Sequence, residues 1–108
     1  MKKAHLIVFY LFFFNVSFAQ TLIKGTLNDA NENTSIEYGS IGLYNPKDSS
    51  LVTGTITEPD GTFVLEELKA GEYYLSAQFM GYKNLIISPV NVEKGKALNL
   101  GTLLISPD

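Results

Sequence analysis

From Thr21 onward, apolar and polar positions alternate with a period of two, and a helical period of 3.6 is nearly absent. In "YYLSAQF" the residues Tyr73, Leu75, Ala77 and Phe79 fall on one face and Tyr74, Ser76 and Gln78 on the other, because successive side chains of a strand point to opposite sides. Phe63 and Leu65 repeat the pattern, and Leu68 closes the base of the same core. The alternation predicts strands near Thr21 to Asn28, Ser40 to Asn45, Leu51 to Thr57, Thr62 to Glu66, Tyr73 to Phe79, Asn84 to Val92 and Leu98 to Ile105. Seven short strands separated by turn signals predict an all-β sandwich.

Turn chemistry punctuates the pattern. Pro59 suits the second position of a tight turn, and Asp60 and Gly61 tolerate positive φ, so the strands on either side are expected to form a hairpin. Gly71 and Gly81 mark the two ends of the strand that follows. Pro89 interrupts "KNLIISPVNV"; proline cannot donate to a ladder, so this strand belongs at a sheet edge or is bulged there.

The first nineteen residues do not share this pattern. Lys2 and Lys3 precede an apolar run, Leu6 to Phe14, too short to span a bilayer, and Ser17 and Ala19 supply the small residues of a cleavage site. Residues 1–19 are therefore read as a secretory signal and residues 20–108 as one domain. Cleavage there removes two lysines and no acid, which takes the net charge from −3 to −5. With no arginine in the chain, an acidic domain of this kind is not expected to bind nucleic acid.

Candidate chemistry is sparse. The chain has no cysteine, and its one histidine, His5, lies in the signal, so disulfides, thiolate sites and His-based catalysis are excluded from residues 20–108. "DANEN" opens with the oxygen spacing of a calcium loop, but Thr34 stands where that loop needs glycine and Ser40 where it needs glutamate. Glu66 and Glu67 are neighbours expected to point to opposite faces and cannot share one substrate. "KGKA" lacks the first glycine and the hydroxyl of a phosphate loop, and Asn33-Thr34-Ser35 has the form of a glycosylation acceptor. No catalytic residue, cofactor or metal ligand is assigned. Tyr44, Tyr74 and Tyr82 are the candidate interaction surface, with a protein or a carbohydrate as the expected partner, and Asp60, Gly61, Gly71 and Gly81 are the candidate structural turns.

The order of these elements resembles the carboxypeptidase regulatory-like family. The resemblance rests on Gly25-Thr26-Leu27-Asn28-Asp29, on Thr57-Glu58-Pro59-Asp60-Gly61-Thr62-Phe63, on Leu68-Lys69-Ala70-Gly71-Glu72-Tyr73 and on Gly81-Tyr82. Glu58 stands where the family has aspartate, and "TSIEYGSI" replaces the signature expected before the second strand. The resemblance implies a transthyretin-like (prealbumin-like) sandwich with a carbohydrate-binding-like fold and without a catalytic site. It also implies a context: the periplasmic N-terminal extension of outer-membrane receptors of gram-negative bacteria, both TonB-dependent receptors and related β-barrel proteins. The chain is accordingly expected to be a non-enzymatic accessory module, the front piece of a longer protein whose barrel is its continuous partner.

Overall fold

The structure is a computed structural model that describes residues 19–108; the signal assigned to residues 1–19 lies outside the described residues except for Ala19. Seven strands form: β1 (Leu22–Asp29), β2 (Ser40–Tyr44), β3 (Leu51–Ile56), β4 (Thr62–Leu65), β5 (Gly71–Gln78), β6 (Leu85–Val92) and β7 (Ala97–Ile105). They make two sheets, ordered β4-β1-β7 and β3-β2-β5-β6. All pairings are antiparallel except that of β1 with β7.

Alternation explains the core. Ile23 and Leu27 of β1 point inward from the small sheet, with Phe63 and Leu65 of β4 and Leu103 and Ile105 of β7. Ile41 and Leu43 of β2, Leu75 and Ala77 of β5 and Val90 and Val92 of β6 meet them from the large sheet. Leu68 lies under this layer, and Tyr73, Phe79 and Tyr82 pack against its margin. Full burial of a Leu or Ile side chain contributes roughly 1.5–3 kcal/mol, and in the absence of cysteine this core is what holds the fold.

Pro89 lies in β6, which is an edge strand. The ladder between β5 and β6 slips there: Tyr73 pairs with Val90 and Leu75 with Ile87, so Ser88 and Pro89 together face the single residue Tyr74. Both expectations for the proline, edge and bulge, hold at one position.

The expected hairpin between β3 and β4 does not form. The Gly61 amide donates to the Glu58 carbonyl at 2.8 Å and the Glu58 amide to the Thr62 carbonyl at 2.9 Å, so the chain does reverse tightly, with Pro59 at the second turn position. The Asp60 carboxylate accepts from the amide and the hydroxyl of Thr62 at 3.1 and 2.6 Å. Yet β3 pairs only with β2, and β4 only with β1. The turn is a corner between sheets, because Phe63 and Leu65 pair with the β1 edge and complete the small sheet's inner face. Strand β4 also ends at Leu65, one residue early; Glu67 has φ +56°, and both Glu66 and Glu67 are exposed in the connection that follows.

Buried polar groups tie the loops to this frame. The Thr57 hydroxyl, 2% exposed, donates to the Ile36 carbonyl at 2.6 Å and accepts from the Gly39 amide at 2.7 Å, which pins the long loop before β2 to the end of β3. The Asp29 carboxylate, on a residue 5% exposed, accepts from the amides of Asn31 and Glu32 at 3.0 and 2.7 Å. These amides, chiefly that of Glu32, and the Tyr82 hydroxyl hold the Asp29 carboxyl below its usual range.

Two predictions follow from these contacts. A Cβ added at Gly61, where φ is +81°, would lie 2.6 Å from the Leu27 carbonyl oxygen, so Gly61→Val is expected to destabilise the domain by at least about 2 kcal/mol; an unchanged urea midpoint would contradict this placement. The lowered folded-state pKa of Asp29 means that its contribution is present above the ordinary carboxylate value and is lost as pH falls through the lowered one. Thermal melts of Asp29→Asn should therefore lie below those of the parent at neutral pH, with the gap closing as the solution is acidified.

Candidate functional site

The outer face of the large sheet carries two adjoining depressions without charged lining. Adjacent strands bring Gly54, Gly42 and Ser76 into one cross-strand row, since Gly42 pairs with Gly54 on one side and with Ser76 on the other. The next row toward one end is Ile56, Ser40 and Gln78. At the other end Tyr44 pairs with both Leu51 and Tyr74. The result is a trough floored by glycine, glycine and serine, with a volume of about 300 Å³. Through Ser40 and Gln78 it runs into a second depression, of about 430 Å³, lined also by Tyr38, Phe79, Met80 and Asn84. None of the residues lining either one is charged.

The floor requires residues without bulk. A Cβ at Gly42 would come within 2.7 Å of the Tyr44 ring, which leans back over this glycine, and one at Gly54 would lie 3.0 Å from the Ile41 carbonyl oxygen. Glycine inside a strand weakens it, so two in adjacent strands facing each other mark a place where the surface is kept low. Ser76 is 5% exposed and its hydroxyl accepts a long hydrogen bond from the Gln78 amide at 3.4 Å. The apolar rims stay open: Leu51, Ile56 and Met80 are 61%, 57% and 92% exposed, and Tyr38, held at φ +66°, is 69% exposed.

The tyrosines proposed from sequence separate into two places. Tyr44 and Tyr74 stack on each other, with ring centroids 5.1 Å apart and planes 13° from parallel, at one end of the trough. Each ring covers one face of the other, and both are half-buried. Tyr82 is not with them. It packs against the core beside Phe79, 5.7 Å between centroids, and the nearby Asp29 carboxylate holds the phenol's pKa above its usual value. The turn glycines also divide. Gly71 opens β5, whereas Gly81, at φ +85°, lies in the turn beyond Gln78 that the Tyr82 amide closes on the Phe79 carbonyl at 3.0 Å.

Four acidic side chains, those of Asp29, Asp48, Asp60 and Glu93, are engaged in local structure. Asp48 and Asp60 accept from the hydroxyl and amide two residues ahead, which lowers both carboxyls, the hydroxyl being the larger influence in each. Asp29 caps its own loop, and Glu93 pairs with Lys96 at 2.8 Å across the "KGKA" turn. Among the described residues no group of three or more acidic or histidine side chains converges as a metal site. Sequence reading missed Gly42, Gly54, Ser40 and Gln78; the available signal was a glycine in the middle of each of two predicted strands.

The fold is shared with solved proteins of diverse roles. It is similar to a chain of the type II cohesin–X-dockerin complex from Acetivibrio cellulolyticus, with a TM-score of 0.65 and 18% identity over 81% of this chain and 58% of that one. It is similar to BcpA, the major pilin subunit of Bacillus cereus, with a TM-score of 0.62 and 13% identity over 83% of this chain and 31% of that one. The 5-hydroxyisourate hydrolase of Klebsiella pneumoniae aligns with a TM-score of 0.59 and 18% identity over 87% of this chain and 92% of that one. At such identities the likeness is one of fold alone, and no curated protein matches the sequence. The family's own pattern runs over residues 22–104, from the start of β1 almost to the end of β7, and the chain belongs to the carboxypeptidase regulatory-like domain family.

Proposed function

We propose that the chain is an exported, non-catalytic interaction module that serves an outer-membrane transport barrel from the periplasmic side. The observation that carries this reading is the uncharged, glycine-floored trough on the outer face of β3-β2-β5-β6. A domain whose residues 20–108 carry −5 overall keeps the trough and the depression beside it free of charged lining and rimmed by exposed apolar side chains, while the exposed Glu72 lies farther along the same face of β5. Interface cores differ from ordinary surface in just this depletion of charge and enrichment in tyrosine and methionine. Cohesin–X-dockerin and pilin proteins, whose structures share the fold, assemble with other proteins, which favours the same use here.

Two further features support a role without catalysis. Residues 20–108 contain neither histidine nor cysteine, and the aspartates with shifted pKa values are bound into turns rather than aimed at the trough. A sugar ligand is less well served, because Tyr44 and Tyr74 stack on each other instead of lying side by side as a platform.

The location is tested by probing periplasmic, outer-membrane and secreted fractions with an antibody to residues 20–108. The reading predicts signal in the outer-membrane fraction, and a wholly secreted product would contradict it. The face is tested by Gln78→Glu together with Ile86→Glu, which place charge beside the trough on exposed positions. Thermal stability should change by less than about 0.5 kcal/mol per exposed site, while co-purification of separate envelope proteins with the chain is lost. Retained co-purification would overturn the assignment of this face.

A further inference from the structure

Each sheet has two open edges, at β3 and β6 in one and at β4 and β7 in the other. Three of these are guarded. Strand β6 carries Pro89 and the bulge opposite Tyr74, and β4 is only four residues long. In β7, Gly101 has φ +72° beside the register shift against β1, and its amide is taken by the Asn99 side chain at 2.9 Å. Strand β3 carries only the bulge at Val52 and, at six residues, is longer than β4. Its only irregularity lies opposite Leu43 and Tyr44, and from Thr53 to Ile56 the ladder to β2 is regular. It contains no proline and no charged residue, and three of the eight large hydrophobic residues exposed among the described residues, Leu51, Val52 and Ile56, lie on it. An apolar edge so lightly guarded presents a row of backbone donors and acceptors that is a template for pairing with another strand.

The surroundings of this edge have a charge. Asp48 and Glu58 flank β3 in sequence, and Glu66 and Glu67 border the depression that Val52 and Thr53 line; all four are exposed. Lys47 and Lys69 are the cations nearby, leaving the rim acidic by two charges. A second copy of the chain would bring two acidic rims together. A strand with a neutral β-branched core and basic ends would match both the edge and its rim.

We infer that β3 is a strand-addition site for an extended segment of another polypeptide, apolar and uncharged at its centre and basic at its ends. This deepens the interaction-module reading and rests on it, because the added strand would extend the same face from the trough's β3 side.

The test uses the purified chain and a short synthetic peptide of alternating valine and threonine with a pair of lysines at each end. Binding should slow amide hydrogen exchange in Leu51–Ile56 by at least about tenfold and leave Leu85–Val92 unchanged. The same peptide with glutamates in place of its lysines should bind at least about tenfold more weakly, with the difference vanishing in high salt. Val52→Lys in the protein should abolish protection of β3. Absence of protection, protection confined to another edge, or equal binding of the two peptides would overturn the inference. If separate envelope proteins still co-purify with the chain while the peptide leaves β3 unprotected, the edge assignment alone fails. If the peptide binds β3 and the chain is wholly secreted, the outer-membrane reading alone fails.

Discussion

The fold depends on the pairing of β1 with β7, the parallel contact that joins the two ends of the domain. Strand β1 is the centre of the small sheet, and Ile23 and Leu27 on it are fully buried. Neither residue can be buried until the last strand arrives beside the first, with Ile23 opposite Leu98 and Leu27 opposite Leu103. No disulfide assists this closure. A contact so distant in sequence adds loop-closure entropy that the core must offset, so the sandwich is stable as a whole or not at all. Asp29 and Ala30 complete the same end: the carboxylate caps the following loop, and the Ala30 amide reaches the Ile105 carbonyl at 2.8 Å.

Once the inner faces are fixed by apolar side chains, strand alternation fixes the outer faces as well. Ile41 and Leu43 inward place Ser40, Gly42 and Tyr44 outward, and Leu75 and Ala77 inward place Tyr74, Ser76 and Gln78 outward. The trough is thus the reverse side of the core, and its lack of charge is a property of the sequence at those alternate positions. The small sheet shows that this was open to other choices, since its outer face carries the exposed Lys24 in the middle of β1. Function, on this account, sits in side chains that contribute little to folding.

Much of this was legible in sequence for a physical reason: period-two patterning is local, and all seven strands were found within a few residues. Pro89 was equally plain, because a missing amide has one meaning in a sheet. What local chemistry could not convey was which sheet a strand joins. Asp60 and Gly61 dictate a reversal, yet the partner of β4 is decided by Phe63 and Leu65 packing on the β1 side of the core. Tyr82 likewise looked like surface until tertiary structure packed it against the core beside Phe79. The floor glycines, Gly42 and Gly54, were visible as residues but acquired meaning only when pairing set them side by side.

If the chain is an interaction module, the outer face of the large sheet is the surface that meets another protein. A photo-cross-linking residue placed at Gln78, compared in living cells with one at Lys24 on the opposite sheet, tests this most directly; both positions are exposed. A discrete adduct with an envelope protein is expected from position 78 and none from position 24. Adducts from position 24 alone would contradict the assignment of this face.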